Sequence, residues 1–320
     1  MLNTIYEPIQ EDLVKVEDRL RSLCEVDFPQ LSKLLDYSLK SGGKRIRPAL
    51  VLLSGRFYRY DPSCLVPMAT AVEILHTATL IHDDVIDNSS VRRGRPTVNK
   101  VWGEDKAILL GDYLLAKSQE LVAETQNLRV IKLFAQAFMT LSRGELAQAV
   151  NAFNLDQSRQ QYLQRISAKT ASLISLATES GAILSRAPEK SVKILKEYGR
   201  NLGIAFQIVD DILDFIGTEE EMGKPIGSDL AQGTLTLPAM FVLERYPEDN
   251  PVIRLFQNEE RQKNIGLAIE LVRSSSIPEE CYAVASDYCA RACHNLKLLP
   301  DNACRRSLIE LAEYVVKRRK

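Results

Sequence analysis

Apolar side chains recur at spacings of three and four through most of this chain, the repeat that gives a helix one buried stripe. The pattern predicts helices over residues 5–24, 29–40, 48–58, 65–87, 104–124, 127–151, 158–185, 191–216, 238–246, 260–273, 279–297 and 302–318. Pro29, Pro48, Pro188, Pro238, Pro278 and Pro300 fall near the predicted starts, where a missing N–H leaves no hydrogen bond unmade. Two long polar breaks, 88–103 and 217–236, each follow an apolar helix that ends in aspartates. Breaks of that length in a helical domain are commonly functional. The fold class expected is all-α, and because no Gly/Ser/Pro-rich linker interrupts the sequence, residues 1–320 read as a single domain.

Composition narrows the class of partner. With 41 Lys+Arg against 42 Asp+Glu in 320 residues, the formal net charge is −1, and no global field draws the chain to nucleic acid or an anionic surface. The longest run without a charged residue, 230–243, is shorter than the roughly 18–20 apolar residues that span a bilayer. No transmembrane segment is expected. The first 25 residues are amphipathic and contain acids, unlike a signal peptide. The six cysteines are scattered, as suits reduced thiols, and the expected location is cytoplasmic. Cys289, Cys293 and His294 lie close in sequence, but no second pair completes a structural zinc site.

The chemistry concentrates in two acidic clusters, Asp83-Asp84-Val85-Ile86-Asp87 and Asp210-Asp211-Ile212-Leu213-Asp214. Residues i and i+4 lie about 40° apart on a helix, so Asp83 shares a face with Asp87, and Asp210 with Asp214. Several carboxylates set among Ile81, Ile86, Ile208, Val209, Ile212 and Leu213 would repel one another unless a cation compensated. Oxygen ligands without Cys or His favour Mg2+, which bridges a few carboxylates to substrate phosphates. Basic residues stand nearby. Gly42-Gly43-Lys44-Arg45-Ile46-Arg47-Pro48 sets three cations at a helix start, Arg92 and Arg93 follow the first cluster, and Lys224 follows the second. Acids for a metal beside bases for an anion imply a phosphate ester or diphosphate as substrate.

With Gly-Gly-Lys-Arg-Ile-Arg-Pro at 42–48, Glu-Ile-Leu-His-Thr-Ala-Thr-Leu-Ile-His-Asp-Asp-Val-Ile-Asp at 73–87 and Gln207 leading into the second cluster, the chain resembles the trans-isoprenyl diphosphate synthases. Lys169-Thr170 and the loop from Gly223 through Leu230 extend the match, which keeps the family's motif order from about residue 30 to 245. The resemblance implies one large helical bundle with a central active-site cavity, the two aspartate clusters on facing helices, and three Mg2+ around an allylic diphosphate. It implies ionisation of that diphosphate, attack by isopentenyl diphosphate and loss of a proton. Carried over by motif position, Lys44, Arg47 and His76 would hold isopentenyl diphosphate, assisted by Arg93. Arg92, Lys169, Thr170, Gln207 and Lys224 would contact the allylic substrate. Asp83, Asp84, Asp87, Asp210, Asp211 and Asp214 would serve the metals, directly or through water. Catalysis would then rest on Asp83, Asp84, Asp87, Lys169, Asp210 and Asp211. One departure is Thr234, which stands where the family commonly has a lysine and brings a hydroxyl but no charge. A homodimer is expected from the family. The basic end 317–320 complements the last helix's negative pole, with closure over a substrate or peripheral membrane contact during product release as the alternatives.

Rival readings explain less. A His82-Asp83 phosphohydrolase centre would need further histidines, of which only His294 remains, and it leaves the second cluster unused. A terpene cyclase would not need Lys44, Arg47 and His76 for a second diphosphate. A non-catalytic subunit of a heteromeric prenyl synthase, or a shorter-chain geranylgeranyl or farnesyl synthase, are the alternatives kept.

In this family the residues one turn before the first cluster floor the pocket into which the product grows. Here they are Ala78 and Thr79, with Ile74 and Leu75 deeper, none of them aromatic. The expected product is an all-trans C30–C50 polyprenyl diphosphate on that analogy. Replacing Ala78 with Phe is expected to shorten the product, read by chromatography of the dephosphorylated chains; an unchanged length distribution would remove Ala78 from the pocket floor.

Overall fold

In the computed structural model, which describes residues 2–40, 42–223 and 225–318, the apolar stripes close into helices almost throughout. Lys224 therefore lies outside the described residues, as do the last two of the basic end. The chain begins with α1 (Leu2–Ile5), α2 (Gln10–Ser22), α3 (Pro29–Leu39), α4 (Ile46–Gly55) and α5 (Pro62–Ile86). A two-stranded hairpin, β1 (Val91–Arg92) and β2 (Arg95–Pro96), precedes α6 (Val98–Trp102), α7 (Glu104–Ala123) and α8 (Leu128–Val150). Then come α9 (Arg159–Ile166), a π-turn at Ser167–Ala171, α10 (Ser172–Leu184) and α11 (Glu189–Ile216). Short α12 (Glu219–Met222) and α13 (Ser228–Ala231) lead to α14 (Leu237–Arg245), α15 (Pro251–Phe256), α16 (Arg261–Arg273), α17 (Ile277–His294) and α18 (Ala303–Lys317).

Local chemistry sets the boundaries. The Asp61 side chain accepts from Ser63 N at the start of α5, and Asn250 Oδ1 accepts from Val252 N and Ile253 N at the start of α15. Ser158 and Gln161 form a reciprocal capping box on α9. The prolines named above fall within or just before helical first turns. The structure departs from the sequence reading where a local device intervenes. Pro8 sits in a 3-10 turn, Glu7–Ile9, that divides the first predicted helix. The π-turn interrupts the predicted 158–185 helix, and α15 was not anticipated although Asn250-Pro251 carries its cap and first turn. Within the break 88–103, Arg93 and Gly94 at positive φ turn the hairpin.

The chain groups into two compact units, each assembled from separate stretches. The first comprises Met1–Phe138, Leu173–Gly199 and Cys293–Leu311. Its core is built on α5 and α4; Leu50, Val51, Leu52 and Leu53 are all fully buried, so α4 is enclosed on every side. By length and composition α5 could cross a membrane, but most of it is buried inside the protein, as in the core helix of a globular fold. Ile74, Leu75, Ala78 and Thr79 lie on this helix and are buried. A Cβ on Gly181 would stand 2.3 Å from Val51 O and 3.1 Å from Gly55 N, so glycine lets α10 lie against the backbone of α4.

The second unit comprises Met139–Ser172, Arg200–Ala292 and Ala312–Lys320. Its core gathers Tyr162, Ile208, Val209, Ile212 and Phe215 with Val272, Ile277 and Cys281, all essentially inaccessible to water. Gly203 sits where a Cβ would come 2.5 Å from Ala171 Cα, so α11 passes directly over the π-turn.

Because the atoms facing Gly181 are backbone, they cannot rotate away. Gly181→Ala is expected to cost about 3 kcal/mol, the upper range for overpacking, seen as a lower urea midpoint at unchanged slope; wild-type stability would contradict this close approach.

Candidate functional site

The first acidic cluster closes α5. Asp83 and Asp87 are partly exposed, whereas Asp84 is buried and takes a 2.7 Å ion pair from Arg92 Nε. Burial raises the Asp84 pKa, and Arg92 opposes that rise. Asp87 is the C-cap, its N–H bonded to Asp83 O. The Asn99 side chain and Ser89 N donate to Asp84 O, fastening the hairpin segment to the helix end. His82 is structural: its ring packs on Gly111 of α7, where a Cβ would stand 2.1 Å from Nε2.

Two and three turns earlier, α5 presents His76 and Glu73 to the basic motif. Arg45, at φ 50°, takes a left-handed backbone conformation that an L-residue adopts only when held. Ion pairs to Glu17 and, at 2.8 Å, to Glu73 hold it. Arg93, also left-handed, donates to Gly42 O at 2.8 Å. Tyr6 OH donates to Lys44 O. Burial, followed by the positive charges of Arg47, Arg93, Arg92 and Arg45, drives the His76 pKa well below its usual value. The side chain is therefore neutral at physiological pH among guanidinium groups, an electropositive setting that suits an anion. Arg47, His76 and Arg93 thus belong to one neighbourhood, with Lys44 next to Arg45 at its edge in the chain. Arg45, Glu17 and Glu73 were missed; the signal available was a third cation inside the basic motif and an acid three residues before His76.

The second cluster lies on α11, where burial separates its three carboxylates. Asp210 is half-exposed and takes a 2.7 Å ion pair from Arg318, whose guanidinium is buried against the Phe206 ring and also donates to Phe206 O. Asp211 is 2% exposed, accepts from Tyr162 OH at 2.7 Å and from Gln207 Nε2 at 2.8 Å, and its pKa is pushed up to about 7 by burial and then by the Asp229 charge. Thr170 Oγ1 donates to Gln207 Oε1 at 2.5 Å, so Thr170, Gln207, Asp211 and Tyr162 form one chain. Lys169, next to Thr170 on the π-turn, pairs with Glu145 at 2.9 Å. Asp214 is 1% exposed, and its oxygens accept from Ser228 Oγ and Asp229 N. That carboxylate is committed to the first turn of α13, a use that helix periodicity did not reveal. Tyr162 and Glu145 were likewise missed, because their partners are remote in sequence; Arg318 was read only as part of the basic end, without its pairing to Asp210.

Among the described residues no three His, Cys, Asp or Glu side chains gather as a ready metal cage. The donor chemistry still fits a hard divalent cation. Asp83, Asp87, Asp210 and Asp211 offer oxygen only, and the raised pKa of Asp211 marks a buried carboxylate whose ionised form calls for positive charge.

Comparison with known proteins bears on the same motifs. The polyprenyl synthetase family profile matches residues 28–272. Heptaprenyl diphosphate synthase component 2 of Geobacillus stearothermophilus is 40% identical over 99% of both chains. The solved polyprenyl synthase of Caulobacter crescentus CB15, complexed with calcium and isoprenyl diphosphate, has a TM-score of 0.96 at 33% identity, covering 100% of this chain and 98% of that one. A decaprenyl diphosphate synthase of Rhodobacter capsulatus has a TM-score of 0.92 at 36% identity, with full coverage of both chains.

The displaced His76 pKa sets a stability test. A histidine whose folded pKa lies below the unfolded 6.5 contributes stability above that pH and loses it as pH falls. The wild type's advantage over His76→Gln, measured by urea unfolding, is therefore expected to be constant above pH 6.5. Below it the advantage should shrink by about 1.4 kcal/mol per pH unit. A gap independent of pH would place His76 outside the basic pocket.

Proposed function

The chain belongs to the polyprenyl synthetase family, and we propose that it is a Mg2+-dependent prenyltransferase that condenses isopentenyl diphosphate repeatedly onto an allylic diphosphate, giving an all-trans C30–C50 product. The observation that carries this reading is the pair of aspartate clusters accompanied by a separate guanidinium pocket around a neutral His76. One diphosphate needs metal-binding acids; a second needs fixed cations. The heptaprenyl and decaprenyl activities named for its relatives support the medium-to-long product, as do the small residues at Ala78 and Thr79.

In this reading Lys44, Arg47, His76 and Arg93 hold isopentenyl diphosphate by its phosphates. Arg forks match phosphate oxygens bidentately, and a neutral imidazole donates a hydrogen bond without adding a further buried charge. Lys169, Thr170 and Gln207 hold the allylic diphosphate, with Arg92 and Lys224 as further cations. Lys169 exchanges Glu145 for the substrate, and Arg92 does the same with Asp84. Asp83, Asp87, Asp210 and Asp211 would be the direct metal ligands, while Asp84, released by Arg92, would serve them through water and Asp214 holds the first turn of α13. Mg2+, three ions on the family's pattern, supplies electrostatic stabilisation of the departing diphosphate. Tyr162 and Gln207 fix both oxygens of Asp211, so its geometry is set before any ligand arrives.

A single synthase domain in the cytoplasm belongs to the same proposal; scattered free cysteines support the location. Association with a second chain is part of it too. The family expectation is a homodimer, but the relative named component 2 favours this chain as the catalytic member of a two-component synthase.

Purified protein with Mg2+, isopentenyl diphosphate and farnesyl diphosphate is expected to yield C30–C50 polyprenyl diphosphates, and EDTA to abolish them. Asp83→Ala and Asp210→Ala should each lower kcat by about 10^3 or more, the scale seen when a main electrostatic group is removed. Product only after a second component is added would select the two-component form. No product with any allylic primer in either form would refute the proposal.

A further inference from the structure

A groove of about 960 Å3 opens in the second unit, and its lining includes none of the residues assigned above to substrate or metal. It runs between α8, α9, α11 and α17, and Arg143, Arg165, Arg200 and Arg291 contribute to its wall. No acidic residue lines it, and asparagine and glutamine amides supply much of the remaining polar surface. The arginines differ in their present partners. Arg165 is buried and committed to Gln157 and Leu235 O, and Arg291 pairs with Asp287 on its own helix. Arg143 and Arg200 have no ion-pair partner among the described residues. Both are exposed to solvent and line the same concavity as the amide donors, so an anion seated there would meet two guanidinium groups free to turn toward it.

We propose that this groove binds a small phosphorylated ligand, with Arg143 and Arg200 as its principal contacts, and that occupancy acts on Lys169. The volume is in the range of small-molecule sites, and paired guanidinium forks suit phosphate oxygens. The concave shape favours a compact anion over a polymer or a membrane face. The route to Lys169 is short. Ser167 and Ala168 of the π-turn form part of the groove wall, and the next residues on that turn are Lys169 and Thr170. A Cβ on Gly144 would stand 3.0 Å from both Ala168 Cβ and Lys169 N, so α8 and the turn are in direct contact. Arg143 faces the groove, while Glu145, two residues on, holds Lys169. Drawing Arg143 toward an anion displaces the same segment that carries the Lys169 partner. π-Turns are strained insertions that often mark functional hinges, and this one joins the two sites.

The coupling rests on the role of Lys169 in the proposed synthase, but binding in the groove does not. Pyrophosphate in EDTA is the probe, titrated by calorimetry into wild type, Arg143→Gln/Arg200→Gln and Lys44→Gln/Arg47→Gln, each checked for native circular dichroism. The expected result is one class of sites weakened at least tenfold in the groove variant and retained in the Lys44/Arg47 variant. Identical isotherms for wild type and groove variant overturn the proposal, as does binding lost only in the Lys44/Arg47 variant. Prenyl transfer is followed in parallel. Added pyrophosphate should change KM for the allylic substrate by severalfold more in wild type than in the groove variant, beyond competition at the site itself; equal changes in both overturn the coupling. A chain without synthase activity would still show the groove class by calorimetry, so the two failures are distinguishable.

Discussion

Charge held inside apolar helices is the constraint on which the site depends. A buried carboxylate or guanidinium loses hydration worth several kcal/mol and must recover it from partners in fixed geometry. In the first unit Arg45 recovers it from Glu17 and Glu73, and Asp84 from Arg92. In the second, Asp211 has hydrogen bonds from Tyr162 and Gln207 but no ion pair among the described residues, and its pKa rises toward 7. The same arithmetic explains why these positions invite a ligand. Each incomplete compensation is an affinity for the missing charge, which supports the proposed anion at His76 and its arginines and the proposed cation at Asp211.

Ligand-free partners then act as placeholders. Arg318 on Asp210, Glu145 on Lys169 and Arg92 on Asp84 each occupy a group that the proposed chemistry needs. Arg92 and Lys169 are themselves partly exposed, at 36% and 26%, so each can turn from its more buried acid toward an arriving anion. Arg318 differs, since its guanidinium is 4% exposed and stacks 3.6 Å from the centre of the Phe206 ring, so a cation arriving at Asp210 meets a settled competitor.

Much of the fold was legible because helix periodicity and proline placement are local signals. The predicted starts at Pro29, Pro188, Pro238 and Pro278 agree with α3, α11, α14 and α17 to within two residues or so. The motifs were legible for a related reason: carboxylates at i and i+4 and a Lys-Arg-x-Arg run declare themselves without tertiary context. What escaped depends on distance along the chain. Tyr162 lies 49 residues from Asp211, and Glu73 lies 28 from Arg45. Asp214 shows the limit of periodicity most plainly. It occupies the same helical face as Asp210, yet its oxygens are taken by Ser228 and the backbone of Asp229.

The π-turn was equally invisible, since one extra residue in a helix leaves no mark on composition. It nevertheless decides what Lys169 and Thr170 can reach. An uninterrupted helix from 159 to 184 would rotate residues after the insertion by about 100° relative to those before it. Tyr162 before the turn and Thr170 on it both reach the Gln207–Asp211 pair on α11, against which Ala171 packs at Gly203. The extra residue keeps both on one side of the helix. Reversing it by deletion would restore regular hydrogen bonding and move one of the two away from Asp211, so the sequence holds an unfavourable backbone feature where the site's geometry requires it.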